Sequence, residues 1–121
     1  MRIFKIREFA KAARKLGIDD LALRKALIEI EAGKPDAMLG GEVVKQRVAR
    51  SGMGKSGGAR MILAFRHAHR CIFIDVFAKN ESANVSTKEL QALKHAAKEM
   101  LGLHDEVVEN LLKNDIWIEV K

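Results

Sequence analysis

Residues 43–77 read VVKQRVARSGMGKSGGARMILAFRHAHRCIFIDVF, and this stretch decides the fold. Val44 and Val48 alternate with Lys45 and Arg47, a period of two that predicts a half-buried strand with both cations opposite the valines. Residues 49–58, ARSGMGKSGG, hold four glycines and two serines and read as a loop. Ala59 to Arg66 and Arg70 to Phe77 are β-rich runs on either side of His67 to His69, which predicts an antiparallel hairpin. Pairing about a turn near Ala68 sets Arg60 opposite Val76 or Phe77, close to Lys79.

The same stretch carries the charge. From Val43 to Ile74 there are seven lysines and arginines and no aspartate or glutamate. Net charge is +2 over residues 1–42, +7 over 43–74 and −3 over 75–121, so the +6 of the whole chain is concentrated in one segment. A local positive field of this kind attracts polyanions, nucleic acid first and an acidic protein surface second. Taken singly, each cation is an ordinary solvated charge. Strand register and loop length bring Lys45, Arg47, Arg50, Lys55, Arg60 and Lys79 toward one end of the sheet, and that convergence favours a shared role. Arg66, His67, His69 and Arg70 fall at the turn, toward the other end.

Outward from the strands the chain reads as helix. Phe9, Ala13 and Leu16 recur at helical spacing and Gly17 is a stop. Asp19 caps a second helix striped by Leu23, Leu27 and Ile30 and ended by Gly33 and Pro35. The two form a hairpin, with a short strand around Arg2 to Lys5 as a candidate before them. Ser86 and Glu89 form a capping box ahead of a helix with Leu90, Leu93, Ala97 and Leu101 on one face, closed by Gly102. A further helix from Asp105 to about Leu112 and a strand from Ile116 to Val120 follow. The expected fold class is α+β: an N-terminal helical hairpin packed on a small antiparallel β-sheet, with one or more C-terminal helices. Residues 1–121 are expected to form a single domain, since 121 residues suffice for one core.

Composition removes several classes. Hydrophobic content of 48% with 31% charge argues against disorder. The single cysteine, Cys71, lies in an apolar run, which excludes a disulfide framework and fits a reducing cytoplasm. Arg2, Lys5, Arg7 and Glu8 leave no apolar stretch for a signal peptide, and charges interrupt Met61 to Ala78, so no membrane span is expected. Gly54, Lys55 and Ser56 look like the end of a Walker loop, but Ala49 stands where its first glycine is required and a hairpin follows instead of a helix. Such a loop can still wrap a phosphate backbone with its amides. His67 and His69 have metal-compatible side chains, but two such ligands make a weak case for a metal site. His95 and His104 lie elsewhere, Trp117 and the methionines read as packing, and the phenylalanines fit core positions better than a stacking platform.

Residues 40–65, GGEVVKQRVARSGMGKSGGARMILAF, followed by residues 72–86, IFIDVFAKNESANVS, resemble the RelE/ParE superfamily of bacterial type II toxins, in particular its RelE and HigB-like branch. The joint pattern R-x-x-x-G-x-G-K-x-G-G-x-R with F-A-K-N-E is the specific part, and the likeness extends over nearly the whole chain. It implies a cytoplasmic toxin that enters the ribosomal A site and cuts mRNA without metal or other cofactor, held inactive by a cognate antitoxin. In that chemistry the ribose 2′-hydroxyl attacks the neighbouring phosphate. The resemblance assigns catalytic roles to Lys45, Arg47, Arg60 and Lys79: arginines to stabilise charge at phosphorus, Lys45 as general base or to orient the nucleophile, Lys79 as acid or stabiliser. It assigns RNA and phosphate contacts to Arg50, Gly54, Lys55, Asn80 and Glu81. Some RelE members set a tyrosine against a base; this chain has none, so base recognition must use another group. Two other functions fit the charge: a ParE-like inhibitor of gyrase, and a non-catalytic nucleic-acid-binding module.

Overall fold

The structure, a computed structural model, describes residues 1–52, 57–78 and 85–121. Among these residues the elements are β1 (Arg2–Ile6), α1 (Arg7–Leu16), α2 (Asp20–Glu31), β2 (Ala37–Gly40), β3 (Val43–Val48), β4 (Ala59–Arg66), β5 (Arg70–Ala78), α3 (Thr87–Gly102), α4 (Asp105–Lys113) and β6 (Trp117–Glu119). The strands form one six-stranded sheet in the order β2-β3-β4-β5-β1-β6.

This overturns the expected fold class. The first element is a strand, not a helical hairpin, and the sheet is larger than expected and mixed. β1 inserts between β5 and β6, parallel to β5 and antiparallel to β6. The reason is burial: Phe4 is fully buried and Ile72, its partner on β5, is too, so each needs a strand beside it and a layer above it. Helices cover both faces. Phe9, Leu23 and Leu27 of α1 and α2 join Met61, Leu63 and Phe73 in one apolar layer. Ala97, Leu101 and Val108 of α3 and α4 join Phe4, Ile62, Ile72 and Trp117 in the other.

Local signals set the helix ends. Gly17 takes φ 71 and closes α1, with the Gly17 amide bonded to Arg14 and that of Ile18 to Ala13. The Asp19 carboxylate accepts from the Ala22 amide at 2.9 Å and starts α2. Ser86 and Glu89 form both halves of the capping box at the start of α3. Gly102 falls inside the last turn of α3 instead of ending it, and the cap is Leu103. Burial pushes the thiol of Cys71 far above its ordinary value, so it is an inert apolar group. Among the described residues, no helix is long and apolar enough to cross a membrane.

Candidate functional site

Alternation along β3 and β4 sorts their side chains. Val43 and Ile62 belong to the layer under α3, Val44 and Met61 to the layer under α1 and α2. Lys45, Arg47 and Arg60 share the parity of Val43 and Ile62, so all three leave the backbone toward the α3 face, and the long Arg47 side chain then turns to the sheet edge. Lys45 pairs with Ile62, and Arg47 with Arg60. Across the next strand Arg60 pairs with Phe77. The register therefore sets the two arginines opposite each other at the backbone, an arrangement of like charges that is unfavourable unless a counter-charge is near.

One of the pair has its counter-charge. Asp36, just before β2, accepts from Arg47 Nε and Nη2 at 3.2 Å each, and its Oδ2 also accepts from the Arg47 backbone amide. The carboxylate raises the proton affinity of the Arg47 guanidinium. The Arg60 side chain has no hydrogen bond or ion pair among the described residues, and its Nη1 is buried without a partner. Buried donors are nearly always paired in native proteins, so an unpaired guanidinium nitrogen marks a place where an acceptor is expected to bind.

The remaining cations divide. Lys45 is half-buried and forms no ion pair among the described residues. Arg50 turns toward the other layer, where its Nε donates to the Leu16 carbonyl at the end of α1 at 3.1 Å. With Lys25 and Arg47 it lines a groove of about 360 Å³ between α2 and the end of β3, floored by Ala26 and Val48. Gly58 returns the chain to β4 against the Val48 carbonyl, so close that any Cβ would collide with it. Gly54, Lys55, Lys79, Asn80 and Glu81 lie outside the described residues.

At the opposite end of the sheet the charges serve the fold. The buried Arg70 donates through Nη1 to the Met100 and Leu101 carbonyls and through Nη2 to Asp105, closing the C-terminus of α3. Its neighbour His69 meets the Leu101 carbonyl at 3.0 Å. Arg66 forms a two-point pair with Glu42, and the guanidinium holds that carboxyl below the usual range. The C-terminus of α3 is thus fixed at the start of β5, and Lys94 in the middle of α3 packs against Gly40 and Gly41 at the turn from β2 into β3. Among the described residues, no group of three or more His, Cys, Asp and Glu is placed to hold a metal ion.

A strand pair carrying two arginines, one of them with a side chain unpartnered among the described residues, can bind and polarise phosphate oxygens. Residues 1–120 match the sequence model of the family described as RelE toxin of the RelE / RelB toxin-antitoxin system, and the chain belongs to that family. It is thus a toxin of a toxin-antitoxin pair, with an antitoxin as its partner. No curated protein matches the chain.

Proposed function

We propose that this toxin is a ribosome-dependent mRNA endoribonuclease of the RelE and HigB-like branch, acting in the cytoplasm without a metal. The observation that carries the reading is Arg60: a strand-anchored guanidinium with a buried, unpaired nitrogen, opposite Arg47 and on the same face as Lys45. A scissile phosphodiester supplies the missing acceptor.

Attack of a 2′-hydroxyl on the adjacent phosphate needs a proton acceptor, stabilisation of the added negative charge, and a proton for the departing 5′-oxygen. Arg60 and Arg47 bind the non-bridging oxygens and stabilise the charge as it develops, where fixed donors are worth most. Removing one such donor elsewhere costs about 10²–10³ in rate. Lys45 contacts the attacking ribose as base or orienting group, and Lys79 protonates or stabilises the leaving oxygen. Arg50, Gly54, Lys55, Asn80 and Glu81 hold the RNA or ribosomal RNA backbone. The antitoxin presents an acidic or helical segment that covers this basic face or displaces a C-terminal helix, with charge steering the encounter.

The test is induction of wild type and Arg60→Ala in bacteria, with mapping of new mRNA 5′ ends while translation runs and while it is blocked. Cuts within translated codons that vanish in the variant and under the block are expected. Growth arrest without cuts would put gyrase inhibition in place of this reading, and absence of arrest would favour a non-catalytic binding module.

A further inference from the structure

Between Val43 and Ala78 the chain has a single carboxylate, Asp75. Its direction is set by a bulge. Leu63 pairs with Phe73 but Ile62 pairs with Asp75, which leaves Ile74 as an extra residue in β5. Regular alternation counted from Ile72 would set Ile74 opposite Ile62 and turn Asp75 to the other face, into the layer of Phe9 and Leu63. The bulge instead turns Asp75 to the face of Ile62, where Lys45 and Arg60 stand.

The register then gives its neighbours. Lys45, Ile62 and Asp75 form one row across three strands, and Arg47, Arg60 and Phe77 form the next. With strands about 4.8 Å apart, the Cα atoms of Lys45 and Asp75 are separated by about 10 Å. Arg60 is the diagonal neighbour of Asp75, at about 7–8 Å. Asp75 is exposed, and among the described residues no cation pairs with it. Its Oδ1 accepts from the Val76 amide at 2.9 Å, which fixes the carboxylate and leaves Oδ2 uncommitted.

Resting on the ribonuclease reading, we propose that Asp75 is the general base of the cleavage step. Oδ2 takes the proton of the 2′-hydroxyl as the 2′-oxygen bonds to phosphorus. The P–O5′ bond breaks with its electron pair on the 5′-oxygen, which takes a proton from water. Lys45 then orients the ribose and is not itself the base. Lys45 of β3 shares the row of Asp75 and Arg60 of β4 stands in the next, while Glu89 of α3 is the charge that reaches the carboxylate. Although the residue is exposed, partial desolvation of the carboxylate, opposed by the Val76 amide and aided by the like charge of Glu89, raises its proton affinity above that of an ordinary aspartate, which suits a proton acceptor.

Asp75→Asn keeps the acceptor for the Val76 amide and removes the base. The experiment is single-turnover cleavage of mRNA on ribosomes holding a sense codon in the A site, for wild type, Asp75→Asn, Asp75→Glu and Arg60→Ala, over a range of pH. Asp75→Asn is expected to lose about 100-fold or more in rate, with ribosome affinity and melting temperature unchanged. The acid limb of the wild-type profile disappears with it, and Asp75→Glu recovers part of the rate. Asp75→Asn cleaving at the wild-type rate while Arg60→Ala fails would overturn the assignment and leave the ribonuclease reading standing. Loss of melting temperature or ribosome affinity in proportion to rate would assign Asp75 to the bulge alone. A wild-type protein that does not cleave would overturn both.

Discussion

Arg47 and Arg60 are direct partners in the β3–β4 register, yet among the described residues Arg47 has a carboxylate, Asp36, on its guanidinium and Arg60 has none. Two like charges opposite each other on one face destabilise a sheet, and a buried unpaired donor adds the cost of its lost water. The fold tolerates this at one position, and a position that costs stability without serving the core is the signature of a binding group.

Arg60→Met should therefore stabilise the protein while removing its toxicity. The methionine keeps the apolar stem and removes both the repulsion and the orphan nitrogen. An increase of about 1 kcal/mol in urea unfolding is expected, with no growth arrest on induction. A less stable variant would mean that Arg60 is part of the fold.

Asp36 holds Arg47 in competition with any phosphate. Asp36→Asn retains an acceptor for the Arg47 amide but removes the charge, so affinity for single-stranded RNA should rise and its log–log salt slope steepen by about 0.7. Filter binding across a salt series measures both. An unchanged slope would mean that Arg47 stays committed to the loop before β2.

Arg70 belongs to the same acid-free run as Arg60 and does a different job. Arg70→Met deprives the last carbonyls of α3 of their donor and should cost on the order of 2 kcal/mol. Cleavage per folded molecule should be unaffected. A variant that folds normally but does not cleave would move the site toward the turn at residues 67–69.

Stability should fall in acid through the paired carboxylates. Burial works against the Asp20 charge, but the Lys5 ammonium at 2.7 Å and the Lys121 amide outweigh it and leave the carboxyl below its ordinary value. Glu42 is held low by Arg66. A carboxyl whose folded value is depressed contributes its full stability above its unfolded value, near pH 4, and loses it as pH falls through the folded one. Lys5→Met should lower stability at pH 7 by about 1 kcal/mol or less and have a smaller effect at pH 3, as read by urea unfolding at the two pH values. An equal loss at both would mean that the lysine acts through its stem.

What the sequence made legible was local. The Gly17 stop, the Asp19 cap and the Ser86–Glu89 box each depend on residues within four positions of one another, and the hairpin that sets Arg60 against Phe77 turns over three. Distant pairings were not legible. β1 lies beside β5 although Phe4 and Ile72 are far apart in the chain, and no local pattern announces it. β2 is a short edge strand whose Met38 is exposed, so it lacks apolar alternation. For the candidate site, period-two alternation brought Lys45, Arg47 and Arg60 to one face. It could not reveal that Asp36 occupies Arg47, that Arg50 turns to Leu16, or that a one-residue bulge turns Asp75 onto the cationic face. The signal for Asp75 was its solitude: one carboxylate in a run otherwise free of them.

The most direct measurement is the chemistry of the cut end. Purified toxin is mixed with ribosomes holding a defined mRNA, and the upstream fragment is analysed by mass. Attack by the 2′-hydroxyl predicts a 2′,3′-cyclic phosphate upstream and a 5′-hydroxyl downstream, formed by wild type and not by Arg60→Ala. A 3′-hydroxyl with a 5′-phosphate, or equal cleavage by the variant, would contradict the account.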